Sequence, residues 1–190
     1  ILNNIKAVLD HGQYIMGPEV YELEVKLADY VGVKHCISCS SGTDALLMSL
    51  MALDIGPRDA VFTTPFTFIA TAEVIQLLGA TPIFVDIDKD TFNISPEKLE
   101  KEIESVIQNG ELIPKAIIPV DLFGLPANSI DIQKIAKRYG LRLIIDSAQG
   151  FGSSINGKIT CGLGDVGTTS FFPAKPLGCY GDGGAIFTND

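Results

Sequence analysis

Short β-branched segments alternate with helical patterns along this chain, and that rhythm limits the folds it can adopt. The segments are KHCISCS (34–40), DAVFTT (59–64), TPIFVD (81–86), PKAIIPV (114–120) and LRLIID (141–146). Strands that alternate with helices are typical of α/β proteins, in which the strands form a parallel sheet. The sequence therefore predicts an α/β fold with a mostly parallel sheet.

Apolar residues at helical spacing fill the gaps between these segments. They form three groups, which are Leu46, Leu47, Leu50 and Met51, then Leu99, Ile103, Val106 and Ile107, and then Ile132, Ile135, Ala136 and Tyr139. We expect each group to mark a helix that crosses over between neighbouring strands. Two earlier helices are predicted over residues 3–10 and 19–30.

The pattern changes after Asp146, where glycine-rich connections replace helices. Two apolar runs follow, VGTTSFF (166–172) and GAIFTN (184–189), with no room for a helix between them. We therefore expect the sheet to end with a hairpin-like antiparallel strand. Residues 1–190 are predicted to be one domain. Because the chain opens on Ile1 and closes on a strand-like segment, we expect it to be a fragment cut at both ends.

Composition excludes several classes of protein. A chain of 190 residues that is 46% hydrophobic and 19% charged can bury a core and is not disordered. No apolar run is long enough to predict a membrane span, and no signal peptide is evident. A net charge of -9 disfavours binding to nucleic acid or to an anionic membrane. Four scattered cysteines predict no disulfide scaffold, so we expect a cytoplasmic protein.

Three short motifs match known patterns without the structural context that each pattern needs. GLGDVG (162–167) fits the dinucleotide fingerprint, but β-forming residues follow it instead of a helix. GSSINGK (152–158) has P-loop spacing, but Ile159 stands where magnesium binding requires Ser or Thr. HCISC (35–39) has no second ligand pair at zinc spacing and alternates like a strand. We predict a plain turn, a surface turn and core cysteines, and no metal site.

Two segments at strand ends carry residues suited to an anionic, nitrogen-containing ligand. In CSSGTDALLMSL (39–50), a strand end leads through Gly42 and Thr43 into a helix, whose N-terminus can bind a phosphate. An ordinary helix cap explains this segment equally well. In IIDSAQGFG (144–152), a strand delivers Asp146 to its carboxyl end. That carboxylate could pair with a protonated ring nitrogen, or could simply cap the next turn.

A third segment, TSFFPAKPLGCYGDGGA (169–185), places Lys175 in apolar and glycine-rich surroundings. Pro176 holds Lys175 out of the α-helical region, which predicts a fixed turn. A desolvated amine is a nucleophile near neutral pH, as Schiff-base chemistry requires. A solvated surface lysine on a flexible loop is the alternative.

Taken together, these segments resemble the DegT/DnrJ/EryC1/StrS family of sugar aminotransferases, which are fold-type I enzymes dependent on pyridoxal 5'-phosphate (PLP). The motifs that carry the resemblance are YIMGPEVYELE (14–24), SSGTDAL (40–46), TPFTFIATAE (64–73), DLFG (121–124), DSAQ (146–149) and SFFPAKPLGCYGDGGA (170–185). The resemblance implies the three-layer large domain of fold-type I aminotransferases, with one antiparallel strand. It also implies that a C-terminal small domain lies outside these residues.

The resemblance assigns a role to each matching residue. Lys175 looks like the lysine that holds PLP as a Schiff base and moves the proton during catalysis, and Asp146 looks like the partner of the pyridine nitrogen. Gln149 is similar to the residue beside the ring hydroxyl, and Phe68 to the aromatic residue that stacks on the ring. The remaining roles fall to phosphate ligands, which are Gly42, Thr43 and Ser170.

The implied reaction moves an amino group from glutamate to a nucleotide-linked ketosugar. Lysine at position 175 matters here, because relatives that dehydrate sugars have histidine instead. The run 173–190 is most similar to enzymes acting on a UDP-linked 2-acetamido-3-keto-glucuronate in bacterial surface-polysaccharide synthesis. A homodimer with shared active sites is implied. Amination at another ketosugar position, or a non-catalytic protein of the same fold, stays open.

Overall fold

A computed structural model describes residues 1–190, in which helices and strands alternate as the apolar periodicity predicts. The helices are α1 (Leu2–His11), α2 (Pro18–Val31), α3 (Gly42–Ala52), α4 (Ala70–Leu77), α5 (Pro96–Asn109) and α6 (Ser129–Tyr139). The strands are β1 (His35–Cys39), β2 (Asp59–Thr63), β3 (Thr81–Phe84), β4 (Ile113–Ile118), β5 (Arg142–Asp146), β6 (Ser154–Ile155), β7 (Lys158–Ile159), β8 (Val166–Ser170) and β9 (Gly184–Thr188). No helix combines the length and the apolarity that crossing a membrane requires.

Seven of the strands form one sheet in the order β1-β9-β8-β5-β4-β2-β3. The pairings within β8-β5-β4-β2-β3 are parallel, whereas β9 pairs antiparallel with both β8 and β1. The expected single antiparallel strand is thus confirmed. Its place is different, because β9 lies inside the sheet and β1 forms the edge.

The strands bury alternate residues on opposite faces of the sheet, which gives three layers. On one face, Phe62, Ile117 and Ile145 pack in a cluster with α5 and α6. On the other face, Val61 and Ile144 pack in a cluster with α3 and α4. A third cluster joins α2 to β1 and β9. This arrangement confirms the expected three-layer α/β fold.

Of the three crossover helices expected from the sequence, only α6 joins neighbouring strands, which are β4 and β5. Helix α4, which the sequence did not predict, also joins neighbours, β2 and β3. Helix α5 passes over β2, and α3 carries the chain from β1 at one edge to β2 near the other. Long-range pairing of β1 with β9 sets the position of β1. Glycine at position 184, at the start of β9, permits this pairing, because a Cβ there would lie 2.3 Å from the Ser41 carbonyl oxygen.

All the parallel strands, β1 included, end at the same edge of the sheet, and β9 begins there. Open α/β sheets gather ligands outside the carboxyl ends of their strands. The residues that follow β1, β2, β4, β5 and β8 therefore converge on this edge.

Candidate active site

A cavity of about 490 Å³ opens at this edge, and every residue that the sequence singled out lines it. These residues are Gly42, Thr43, Phe68, Asp146, Gln149, Ser170 and Lys175. They come from four separate segments of the chain. Lys175 is the only lysine, arginine or histidine among the lining residues, so it is the sole basic side chain that this chain contributes to the cavity.

The amino end of α3 forms one wall of the cavity. Ser41 caps the helix by accepting a hydrogen bond from the Asp44 backbone N–H at 3.0 Å. The N–H groups of Gly42 and Thr43 belong to the first turn, so they have no acceptor within the helix. They are therefore available to an anion in the cavity, where the helix dipole adds to the attraction.

Gly42 is required for close packing between α3 and the end of β8. A Cβ built on Gly42 would lie 2.6 Å from the Ser170 Cβ and 3.2 Å from the Ser170 Oγ. The contact holds the Ser170 hydroxyl beside the first N–H groups of α3. Glycine at this position therefore brings two predicted phosphate ligands together.

We expect Gly42→Ala to destabilise the full-length protein by about 1–3 kcal/mol, the usual cost of overpacking a tight contact. The added methyl group must push α3 away from Ser170. The free energy of unfolding, measured in urea without added ligand, tests this. Gly56→Ala is the matched control, since a Cβ on Gly56 meets no atom within 4 Å. Equal unfolding free energies for the two variants would contradict the packing argument.

Asp146 ends β5 and is buried beneath the cavity, with 4% of its surface exposed. Its Oδ2 accepts a hydrogen bond from the Thr71 Oγ1 at 2.9 Å, and its Oδ1 accepts one from the Ala148 N–H at 3.1 Å. Burial raises the pKa of this carboxyl, and the two hydrogen bonds and the Lys175 charge oppose the rise. A buried carboxylate that faces a cavity can stabilise a positive charge placed there.

Lys175 lies in the connection between β8 and β9, and the chain turns sharply there. Its backbone N–H donates to the Phe172 carbonyl at 2.8 Å, which closes the predicted turn before Pro176. The side chain is only partly buried, so its desolvation is incomplete in this chain. The Lys175 Nζ lies 6.0 Å from the centroid of the Phe68 ring, which is largely exposed.

Gln149 lies on the turn that follows Asp146. Its Oε1 accepts a hydrogen bond from the Phe123 N–H at 3.1 Å. Phe123 has φ of 54°, an uncommon value for a bulky side chain. Gln149 therefore connects the cavity to the DLFG segment.

Thr71 and Asp182 are among the cavity residues that carry no assignment from the sequence. Thr71 on α4 bonds to Asp146 and lies 3.1 Å from the Thr67 hydroxyl. Asp182 also lines the cavity, at its exposed side. Thr71 falls within the TPFTFIATAE motif, but a threonine in a helix has no local feature that marks it as a carboxylate partner.

The three short motifs have the structures that their contexts predict. GLGDVG leads directly into β8, and GSSINGK forms the β6–β7 hairpin with Asn156 and Gly157 at positive φ. HCISC is β1, and the expectation of core cysteines is correct for Cys36, which is buried, but not for Cys39, which is half-buried. Burial raises the pKa of Cys36 to about 12, which favours the neutral thiol.

Known proteins that are similar to this chain include members of one aminotransferase family. The model of the DegT/DnrJ/EryC1/StrS aminotransferase family matches residues 1–190. A UDP-2-acetamido-2-deoxy-3-oxo-D-glucuronate aminotransferase from Pseudomonas aeruginosa is 57% identical over 98% of this chain and 50% of that protein.

Solved structures agree with this match. A DegT DnrJ EryC1 StrS aminotransferase from Brucella abortus superposes with a TM-score of 0.97 at 56% identity, over 98% of this chain and 50% of that one. Bacillus subtilis NtdA, solved with its cofactor PMP bound, gives a TM-score of 0.88 at 36% identity, over 100% of this chain and 41% of that one. The chain thus spans about half the length of the relatives it matches. With a family match along its whole length and this fold, the chain belongs to the DegT/DnrJ/EryC1/StrS aminotransferase family.

Proposed function

We propose that this chain is the PLP-binding large domain of an aminotransferase that moves an amino group from glutamate to a nucleotide-linked ketosugar. The observation that carries the proposal is the convergence of Lys175, Asp146 and the α3 N-terminus on one cavity. The relative from P. aeruginosa supports a UDP-linked 2-acetamido-3-keto-glucuronate as the acceptor. We assign the enzyme to the cytoplasm and to bacterial surface-polysaccharide synthesis.

The residues around the cavity fit PLP in chemistry. Its phosphate would be held by the N–H groups of Gly42 and Thr43 and by the Ser170 hydroxyl, which the missing Cβ of Gly42 brings together. Asp146 would pair with the ring nitrogen, and Phe68 would lie against the ring. Gln149 would contact the ring hydroxyl, and the cofactor bound to NtdA supports the assignment.

When bound, PLP supplies an electron sink that allows a C–H bond beside the amino nitrogen to break. The side chains of this chain supply the rest. Lys175 would hold the cofactor covalently through its Nζ between turnovers and, once released, would carry the proton away from the substrate carbon. Asp146 would keep the ring nitrogen protonated, and Thr71 would hold Asp146 in place.

We further propose a homodimer with shared active sites. Helix α1 supports it, because none of its residues is buried within the chain. Ile1, Leu2 and Leu9 are each more than half exposed, and Ile15 is 92% exposed. Apolar surface of this kind favours burial against a partner. Light scattering of the full-length protein should give twice the mass of the monomer, and a monomeric mass would contradict the assignment.

A coupled assay tests the reaction. The full-length protein, loaded with PLP, is mixed with glutamate and the UDP-linked 3-ketosugar, and both 2-oxoglutarate and the amino sugar are measured. Both products should form in equal amounts. Product only from a 4-ketosugar would show a different acceptor, and no product from glutamate with any ketosugar would favour the non-catalytic alternative.

A further inference from the structure

A second buried carboxylate, Asp121, lies directly behind the candidate active site. It follows β4 and has no exposed surface. The segment that follows β4 is joined to the end of β5 by two backbone hydrogen bonds, since the Asp121 N–H donates to the Asp146 carbonyl at 2.9 Å and the Asp146 N–H donates to the Pro119 carbonyl at 3.0 Å. The two carboxylates therefore lie at the ends of adjacent strands.

The side chain of Asp121 is held by donors from two directions. Its Oδ1 accepts from the Ala127 N–H at 3.0 Å, and its Oδ2 accepts from the Ser147 hydroxyl at 2.6 Å. The Ser147 hydroxyl lies 3.3 Å from the Thr160 hydroxyl, which in turn lies 3.0 Å from that of Ser153. The Ser147 hydroxyl thus connects Asp121 to the residue that immediately follows Asp146, and the Thr160 and Ser153 hydroxyls extend this network.

The turn from Asp146 to Gly150 lies tightly over Asp121. A Cβ on Gly150 would be 2.5 Å from the Asp121 Cβ and 3.2 Å from the Asp121 carbonyl oxygen. The same turn carries Gln149 into the cavity. The turn from Asp146 to Gly150 therefore packs directly against Asp121.

The electrostatic surroundings of Asp121 are unfavourable to its charge. The titratable groups that face it are Asp146 and the buried thiol of Cys161, and no lysine, arginine or histidine forms an ion pair with it. Burial raises the pKa of the Asp121 carboxyl, its hydrogen bonds oppose the rise, and the Asp146 charge adds to it. A buried carboxylate without a cation costs folding free energy.

We propose that Asp121 is a positioning residue for the active site. Its carboxylate holds the turn that carries Asp146 and Gln149, and its negative charge strengthens Asp146 as the partner of a protonated ring nitrogen. The electrostatic half of this role depends on the proposed cofactor chemistry. The cost of burying the charge is partly offset by its hydrogen bonds and not by any ion pair.

Asp121→Asn removes the charge and keeps the shape. The amide oxygen can accept from the Ala127 N–H, and the amide nitrogen can donate to Ser147, whose hydroxyl can then donate to Thr160. Each of the existing hydrogen bonds is kept when the hydroxyls reverse direction, and the second amide N–H is the one donor that the change adds. Asp121→Ala removes the contacts as well, so the two variants separate charge from support.

Stability without cofactor gives the first readout. Because the folded protein holds the Asp121 proton more tightly than the unfolded chain, the free energy of unfolding falls as pH rises from the ordinary aspartate pKa through the folded-state pKa. At pH values above the folded-state pKa, the wild type carries the full free-energy cost of burying the Asp121 charge. Full-length Asp121→Asn should therefore unfold at a higher temperature than wild type at pH 7, and this advantage should vanish below about pH 4. An Asp121→Asn variant that melts earlier, or does not fold, overturns the role, because the carboxylate would then serve folding.

The PLP-loaded protein gives the second readout. A nearby negative charge favours the proton on the nitrogen that joins Lys175 to the cofactor. Asp121→Asn should therefore lower the pH midpoint at which the visible absorbance band titrates, by about half a pH unit. Asp59→Asn is the matched control, because Asp59 is also buried but lies at the amino end of β2. The visible band of the PLP-loaded control variant should titrate with the same pH midpoint as that of wild type. An unchanged midpoint in Asp121→Asn overturns the electrostatic role.

Hydrogen exchange tests the supporting role. The amides of residues 147–150 should exchange faster in Asp121→Ala than in wild type, and at the wild-type rate in Asp121→Asn. Equal rates in all three proteins would overturn this half of the role. If the wild-type protein shows no visible band with PLP, the proposed function fails, and the melting and exchange measurements still decide whether Asp121 supports the turn.

Discussion

Replacing Lys175 with alanine is expected to lower the aminotransferase activity of the full-length protein by at least about 10⁴-fold. Two contributions disappear together, which are covalent attachment of the cofactor and proton transfer at the substrate carbon. No other basic side chain of this chain lines the cavity, so none can substitute. The measurement is the rate of 2-oxoglutarate formation from glutamate in a single turnover.

Lys101→Ala is the matched control for this prediction. Lys101 lies on the exposed side of α5 and forms no ion pair, so its removal should leave the rate unchanged. Primary amines added to the Lys175→Ala protein should restore part of the activity, because they replace the missing base. A Lys175→Ala variant within tenfold of wild type would exclude Lys175 as the catalytic residue.

Asp146→Asn is expected to lower the same rate by about 10²- to 10³-fold, because it removes a preorganised charge from a buried site. The change keeps the local contacts. The amide oxygen can accept from the Ala148 N–H, and the amide nitrogen can donate to Thr71, whose hydroxyl can donate to Thr67. The loss of rate should therefore appear without loss of folding.

Thermal unfolding without cofactor separates charge from structure in this variant. Since burial raises the Asp146 pKa, its charge costs stability at neutral pH, and Asp146→Asn should melt no earlier than wild type. Asp90→Asn, at an exposed position, is the control for both rate and melting. A variant that melts early would assign Asp146 a structural role, and a variant with the wild-type rate would contradict the role at the ring nitrogen.

Most segments of the fold could be predicted from the sequence because they have a local period, whereas α4 and the two-residue strands β6 and β7 were not predicted. Strands such as β5 are short apolar runs, and helices such as α6 repeat every three to four residues. The strand order could not be predicted in this way. It depends on long-range contacts, such as that of Gly184 with Ser41, which bring β9 between β1 and β8.

The same limit applies to the site. Lys175, Asp146 and Gly42 stand next to prolines, strand ends or helix starts, which give each one a local signal. Thr71 has no such signal, because its partner Asp146 is 75 positions away. Asp121 likewise looks like an ordinary turn residue in DLFG, and only the packing of the Asp146–Gly150 turn over it reveals its burial.

Borohydride reduction of the PLP-loaded full-length protein, followed by mass mapping of its peptides, tests the central claim most directly. Reduction fixes the cofactor to whichever amine holds it. The account predicts one modified residue, Lys175, and no stable modification in Lys175→Ala. A modified lysine elsewhere in the chain, or the same yield of adduct in Lys175→Ala, would contradict it.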